Sequence, residues 1–174
     1  MLIKPVGAKE WLCAWLVLSA WLWRAALAQE SEGIAYRLAP QEELTAARGS
    51  AERVLTQIDS IVLSGSPIST LYDAAGQALK MRYRPAALAA RLNDVRAPLG
   101  EVQDRSFSGF HGPYHTMPNL VAGEYLIIVF ATHFKDKPGT YTEQVTLEAD
   151  RAGAALWRAV EYYVAPRASA GEIR

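Results

Sequence analysis

The spacing of apolar positions changes twice along this 174-residue chain. The changes separate an N-terminal apolar block, a helical stretch and a run of strands. Trp11 to Trp23 is apolar almost without a break. From Gln41 onward Leu44, Ala47, Ala51, Val54, Leu55, Ile58, Ile61 and Val62 recur at three- and four-residue steps, which predicts one buried stripe on a long amphipathic helix. Ser64-Gly65-Ser66 stops that helix. Ser66 as N-cap and Pro67 at the first helical position open a second one, with Ile68, Leu71, Tyr72, Ala75 and Leu79 as its stripe, running to about Arg82. Arg84-Pro85 opens a third, with Leu88, Leu92 and Val95 inward. Pro98 and Gly100 end it, because proline cannot continue the ladder and glycine accepts a left-handed cap.

After Gly100 the period falls to two. Residues 101–110 carry a weak strand signal, with Val102, Phe107 and Phe110 as the large apolar side chains, and the loop of residues 111–119 (HGPYHTMPN) interrupts it, as suits an edge strand. Residues 125–134 (YLIIVFATHF) are apolar at both parities, the pattern of a central strand covered on two sides. In residues 141–150, Tyr141, Val145 and Leu147 alternate with Thr142, Gln144, Thr146 and Glu148, which predicts a strand with one wet face. Lys137-Pro138-Gly139 reads as the turn before it and Arg151-Ala152-Gly153 as the turn after it. Residues 156–164 form the last strand, which Pro166 closes. The order predicts an α+β fold: three N-terminal helices packed on a curved four-stranded antiparallel sheet, strands in sequence order.

Composition modifies this picture mainly at the N-terminus. Lys4 and Lys9, the apolar run and Ala26-Leu27-Ala28 together form a secretory signal with its small-x-small cleavage site, which places the cut after Ala28. The run is shorter than the ~20 residues of a spanning helix, so no membrane span is expected in the mature chain. Cys13, the only cysteine, goes with the signal, and no small-residue lipidation context precedes the cut. The predicted division is therefore a signal peptide at 1–28, a flexible leader at 29–40, a single α+β domain at 41–166 and a disordered tail at 167–174. Losing Lys4, Lys9 and Arg24 against Glu10 takes the charge from 18 basic and 18 acidic side chains to 15 and 17, net −2. Without a clustered basic face, nucleic acid and anionic lipid are disfavoured as partners. Without cysteine the mature domain has no disulfide or thiol chemistry. A signal of this kind implies the periplasm or the extracellular medium.

Arg96-Ala97-Pro98-Leu99-Gly100, Arg105, Gly123-Glu124-Tyr125, Phe130, Phe134, Glu143, Val145, Trp157 and Tyr162-Tyr163 form a set whose order and spacing resemble the exported bacterial family catalogued as domain of unknown function 4019, over residues of about 51–164. Where that family tends to show an aspartate, a glycine, a tyrosine and a Ser-Trp pair, this chain has Ser64, Ser66, Ile68 and Leu71-Tyr72. Glu161 stands where a glycine is usual. The resemblance implies a single exported domain and no assigned activity. The order of elements is in turn similar to the cone-shaped nuclear-transport-factor-like and cystatin-like folds, in which helices and a concave sheet face enclose a pocket.

Polar residues on apolar faces are the candidate chemistry. Glu143 shares its face with Tyr141, Val145 and Leu147, which predicts an ion pair with Arg105 or Arg96, or a general base or ligand anchor in a pocket. His133 falls at a strand end on the face of Tyr125, Ile127 and Val129, where a half-exposed structural role is expected. Tyr162 and Tyr163 point to opposite faces, one into the core and the other to the pocket side, with Tyr163 carried as the pocket candidate. His111 and His115 are separated by Gly112-Pro113, so a helix cannot bring them to one metal, and no acidic or thiol ligand is near. No serine stands in a nucleophile elbow and no glycine-rich loop suits a phosphate, so no catalytic, metal or cofactor residue is assigned. Three functions follow: a non-catalytic binding or interaction module of the cell envelope for a small ligand or an envelope protein, a small enzyme using Glu143 as acid or base on a small apolar substrate, and an accessory subunit docking to a partner protein.

Overall fold

The computed structural model describes residues 40–150 and 156–167. The expected signal peptide, almost all of the leader, the turn at 151–153 and nearly all of the tail lie outside them. The elements are α1 (Gln41–Ser64), α2 (Ile68–Ala74), α3 (Gln77–Arg82), α4 (Pro85–Arg96), a 3-10 turn (Ala97–Leu99), then β1 (Val102–Tyr114), β2 (Tyr125–Phe134), β3 (Lys137–Ala149) and β4 (Trp157–Pro166). The four strands form one antiparallel sheet in the order β1-β2-β3-β4. No described helix is long and apolar enough to cross a membrane.

The stripe on α1 does what its spacing requires. Ala47, Ala51 and Leu55 are fully buried against Leu126 and Ile128 of β2, Val145 and Leu147 of β3, and Trp157 and Ala159 of β4. Farther along the helix Ile58 and Ile61 join Leu71, Leu79, Leu88 and Leu92 in a second cluster, in which the four helices pack on one another. Each such side chain contributes roughly 1.5–3 kcal/mol through its removal from water. Glu42 and Glu43 in the first turn complement the helix dipole, and Gly65 at φ 68° supplies the left-handed exit.

Among the described residues there are four helices where three were expected. The stripe of Leu71, Ala75 and Leu79 keeps its helical spacing and its burial, yet the backbone leaves the helix at Ala75 and Gly76. Tertiary contact overrides local periodicity there. The Gly76 N–H donates to Ala159 O on β4 at 2.8 Å, and a Cβ on Gly76 would stand 2.6 Å from Glu148 Oε1 and 2.8 Å from Val160 Cγ1. Glu148 Oε1 accepts from the Gln77 N–H at 2.8 Å and so caps the restarted helix α3. In α4 the buried positions are Leu88, Leu92 and Arg96, with Val95 only partly covered.

The strands differ from expectation in three places. β1 runs on through His111 and Gly112-Pro113 to Tyr114, where a loop was expected, and keeps its pairing with β2 across three register shifts. β3 starts at Lys137, and the reversal is made by Lys135 and Asp136; the expected turn residues Pro138 and Gly139 open the strand and are exposed. On β2 one face is covered along its length, with Leu126, Ile128, Phe130, Thr132 and Phe134 buried; on the other, Tyr125 is buried with Ala78 of α3, Ile127, Val129 and Ala131 are partly exposed and His133 is exposed. A long apolar strand thus has one face in the core and one half-open.

Candidate functional site

Six polar side chains meet on the covered face of the sheet, each placed by a different piece of chain. In the sheet register Thr132 of β2 stands opposite Arg105 of β1 and Tyr141 of β3. Glu143, two residues along β3, therefore points to the same face, and Tyr162 reaches that face from β4 opposite Val145. Glu143 has 0% exposure. Its Oε2 accepts from Arg105 Nε at 2.7 Å and from Thr132 Oγ1 at 2.6 Å, and its Oε1 accepts from the Tyr162 hydroxyl at 2.7 Å.

Asp59 of α1 extends the cluster. It accepts from Arg105 Nη1 at 2.9 Å on one oxygen and from Arg96 Nη2 at 2.7 Å and Nε at 3.1 Å on the other. Arg96, at the last turn of α4 and fully buried, places Nη1 on Gly100 O at 2.7 Å and stacks its guanidinium 4.4 Å above the Phe134 ring. The charges alternate as Arg96, Asp59, Arg105, Glu143, two of each sign. That order lets buried ions compensate one another at short range, the condition under which burial of charge is tolerated.

Two titrations reflect this packing. Burial alone would lower the Arg105 pKa, but hydrogen bonds and charge from Asp59 and Glu143 outweigh it and hold the guanidinium above its usual value. Burial pushes the Tyr162 hydroxyl far above the ordinary tyrosine value, and the neighbouring Glu143 charge and hydrogen bond push it further. Tyr162 therefore remains a proton donor to Glu143 at any physiological pH. With three donors on its two oxygens and no exposure, Glu143 would meet a substrate proton only if a neighbouring side chain moved.

The network opens toward solvent at Arg105. α1 packs on β2, β3 and β4 and leaves the same face of β1 partly uncovered, so that Phe107 is 39% exposed. Between α1 and β1 runs a groove of about 420 Å³ lined by Leu44, Arg48, Gly49, Phe107, Phe110 and Ile128, among others. An adjoining hollow of about 500 Å³ shares Arg48 and Phe107 and reaches Arg105 and Ser106. Arg48 lies 4.9 Å over the Phe107 ring and donates Nε to Glu52 Oε1 at 2.8 Å. Gly49 is a mid-helix glycine beside this groove, and a Cβ built on it meets only Arg53 Nη1, at 3.6 Å. Packing inside the protein does not require a glycine there.

Of the residues singled out from sequence, Glu143, Arg105 and Arg96 belong to one network, with Arg96 reaching Glu143 through Asp59 and Arg105 in turn. His133 and Tyr163 do not join it. His133 sits on the half-open face with a ring nitrogen 2.9 Å from Thr140 Oγ1, and Tyr163, 50% exposed, stands opposite Gln144 on that same face. His111 and His115 are both exposed. Among the described residues no group of three His, Cys, Asp or Glu is placed to hold a metal ion. Asp59 and Thr132 were not singled out, although both carried a signal, and Tyr162 was named only as the neighbour of Tyr163 on the opposite face. Asp59 falls within the apolar stripe between Leu55 and Val62, and Thr132 shares the parity of Ile128, Phe130 and Phe134.

Comparison with known proteins yields one match. The family described as "protein of unknown function (DUF4019)" matches residues 50–162. The chain belongs to this family. The matched stretch contains Asp59, Arg96, Arg105, Thr132, Glu143 and Tyr162, so the whole buried network lies within the part of the DUF4019 protein that defines its membership. No curated protein and no solved structure matches the chain.

Proposed function

We propose that this DUF4019 protein is exported to the periplasm or beyond, loses residues 1–28, and works as a non-catalytic binding module whose ligand lies in the groove between α1 and β1. The reading rests on one observation: the carboxylate best placed for acid-base chemistry is fully buried and holds three donors, from Arg105, Thr132 and Tyr162, while the groove between α1 and β1 is open and lined by Leu44, Phe107, Phe110 and Ile128 together with Gln41, Thr45, Arg48 and Glu52. An enzyme using Glu143 would need one of those partners to leave. The groove volume falls within the roughly 300–1,000 Å³ of small-molecule sites, and its make-up, an apolar floor with Gln41, Thr45 and the Arg48–Glu52 pair around it, suits a ligand with an apolar body and a polar head. Helices laid across one face of a four-stranded sheet also support the comparison with nuclear-transport-factor-like and cystatin-like cones, where the pocket occupies the same side.

Gly49 provides the test. Leucine there replaces a helix-interior glycine at the edge of the groove, where a Cβ meets nothing closer than Arg53 Nη1 at 3.6 Å, so Gly49→Leu should be at least as stable as wild type, with a gain of about 0.5–1 kcal/mol. Protein released gently from the cell envelope and examined by native mass spectrometry should carry a small molecule that the variant lacks. Wild type with no bound molecule, or a variant with equal occupancy, would overturn the groove as the binding site.

A further inference from the structure

The sheet face turned away from α1 stays half-open, and its side chains are arranged in an ordered way. Ala78 of α3 and Met117 and Leu120 of the β1–β2 connection close one end of it around Tyr125 and Val160. Farther along, the row formed by Gly109, Val129, Gln144 and Tyr163 crosses all four strands, and beside it runs the row of Ser106, Ala131, Thr142 and Ala165. Neither row holds a charge. The charged side chains of this face stand at its margins, Asp104 3.7 Å from His133 at one end and Glu161 paired with Arg82 toward the other. An uncharged centre with an aromatic residue and a charged rim is how protein–protein interfaces are composed. The relief is uneven as well. Tyr163, 50% exposed, stands up from β4, while at the opposite edge of the same row Gly109 has no side chain and a Cβ built there meets nothing within 4 Å.

A ridge at one edge and a trough at the other make the face complementary to itself. We infer that it binds a second copy of the chain, sheet against sheet, about a two-fold axis that runs along the strands between β2 and β3. That rotation lays β4 of each copy over β1 of the other and turns each row onto itself in reverse, so that Tyr163 enters the space at Gly109 of the second copy and Val129 meets its Gln144. The area suffices. Four strands about 4.8 Å apart, with residues 127–134 rising about 3.4 Å each, offer roughly 500 Å² of sheet per copy, or about 1,000 Å² together before side-chain relief is counted. This is the lower bound of a specific interface, which sets association in the micromolar range and leaves the face open to water in dilute solution. The dimer does not rest on the groove reading, since the groove lies on the other face of the sheet.

The test is sedimentation velocity of the chain as the cell retains it, which should pass from monomer to dimer between roughly 1 and 200 μM. Val129→Asp puts a charge at the centre of the contact and Tyr163→Ser removes the ridge, and each should weaken the dimer by about tenfold or more. Val129 is partly exposed and Tyr163 exposed, so neither change opens the core, and an unchanged circular dichroism spectrum checks that each variant is folded. Leu63→Ser, at the exposed end of α1, alters apolar surface outside this face and should leave the dimer as it is. In a half-labelled sample, filtered NMR should connect the Tyr163 ring of one copy with Gly109 of the other, residues roughly 14 Å apart across the strands of a single chain. A chain that stays monomeric at the highest concentration, a dimer that survives both Val129→Asp and Tyr163→Ser, one weakened equally by Leu63→Ser, or one without the Tyr163–Gly109 contact overturns the proposal.

Discussion

Glu143→Gln removes one charge from a cluster of four, in which Glu143 and Arg96 are fully buried and Asp59 and Arg105 partly so, and leaves its shape almost unchanged. Arg96 and Arg105 would then share Asp59 alone, so one cation stays uncompensated at a place where Arg96 has no exposure. Removing one partner of a buried pair typically costs about 3–5 kcal/mol. Glutamine should lie near the lower figure, because its amide oxygen can still accept from Arg105 and Thr132. Its amide nitrogen must then face the Tyr162 hydroxyl, which now donates to Glu143 and would have to turn its proton elsewhere. Against a total stability of about 5–15 kcal/mol for a domain, a loss near 3 kcal/mol is large. With urea slopes of about 1–3 kcal/mol per molar, the unfolding midpoint should fall by about 1–3 M at an unchanged slope. Arg105→Met should be similarly costly, and the double variant should lose less than the two single losses together by about 1–3 kcal/mol, since each single change leaves the other partner stranded. A glutamine variant with an unchanged midpoint would refute this reasoning. One more stable than wild type would show that desolvation of the network outweighs its internal attraction.

Two further outcomes follow from the geometry. The folded pKa of Tyr162 is raised above the unfolded value near 10, so the folded state holds a proton that the unfolded chain releases; stability should be intact below about pH 10 and fall as pH rises beyond it. Tyr162→Phe should lose about 1.5–3 kcal/mol at neutral pH with its bond to Glu143 and show a shallower alkaline decline in denaturant midpoint; an identical decline would place the alkaline sensitivity elsewhere. Ile128 is 1% exposed in the core while Ile127 is partly exposed on the other face, so Ile128→Ala should cost ~2–5 kcal/mol and Ile127→Ala clearly less; equal losses in thermal or urea unfolding would mean that the half-open face is covered in solution.

Much of this protein is decided within short stretches of chain. The stripe from Leu44 to Val62 needs only the 3.6-residue period to make α1, Gly65 and Gly100 need only their freedom at positive φ to end helical segments, and the alternation from Tyr141 to Leu147 turns Glu143 toward the core whatever lies across from it. Other features depend on partners distant in sequence. The break at Gly76 exists because Ala159, 83 positions later, offers a carbonyl and Glu148 a cap. Which face of β2 is covered could not be read from Ile127 and Ile128, since both are isoleucine and the helices choose between them. The choice of Tyr162 over Tyr163 follows from strand pairing: a strand period of two assigns adjacent residues to opposite faces, and only the register of β4 against β3 says which one meets Glu143. Asp59 joins Arg96 to Arg105 across 37 and 46 positions of sequence, a contact that neither local propensity nor periodicity specifies, because a salt bridge is decided by where the folded backbone sets its two ends.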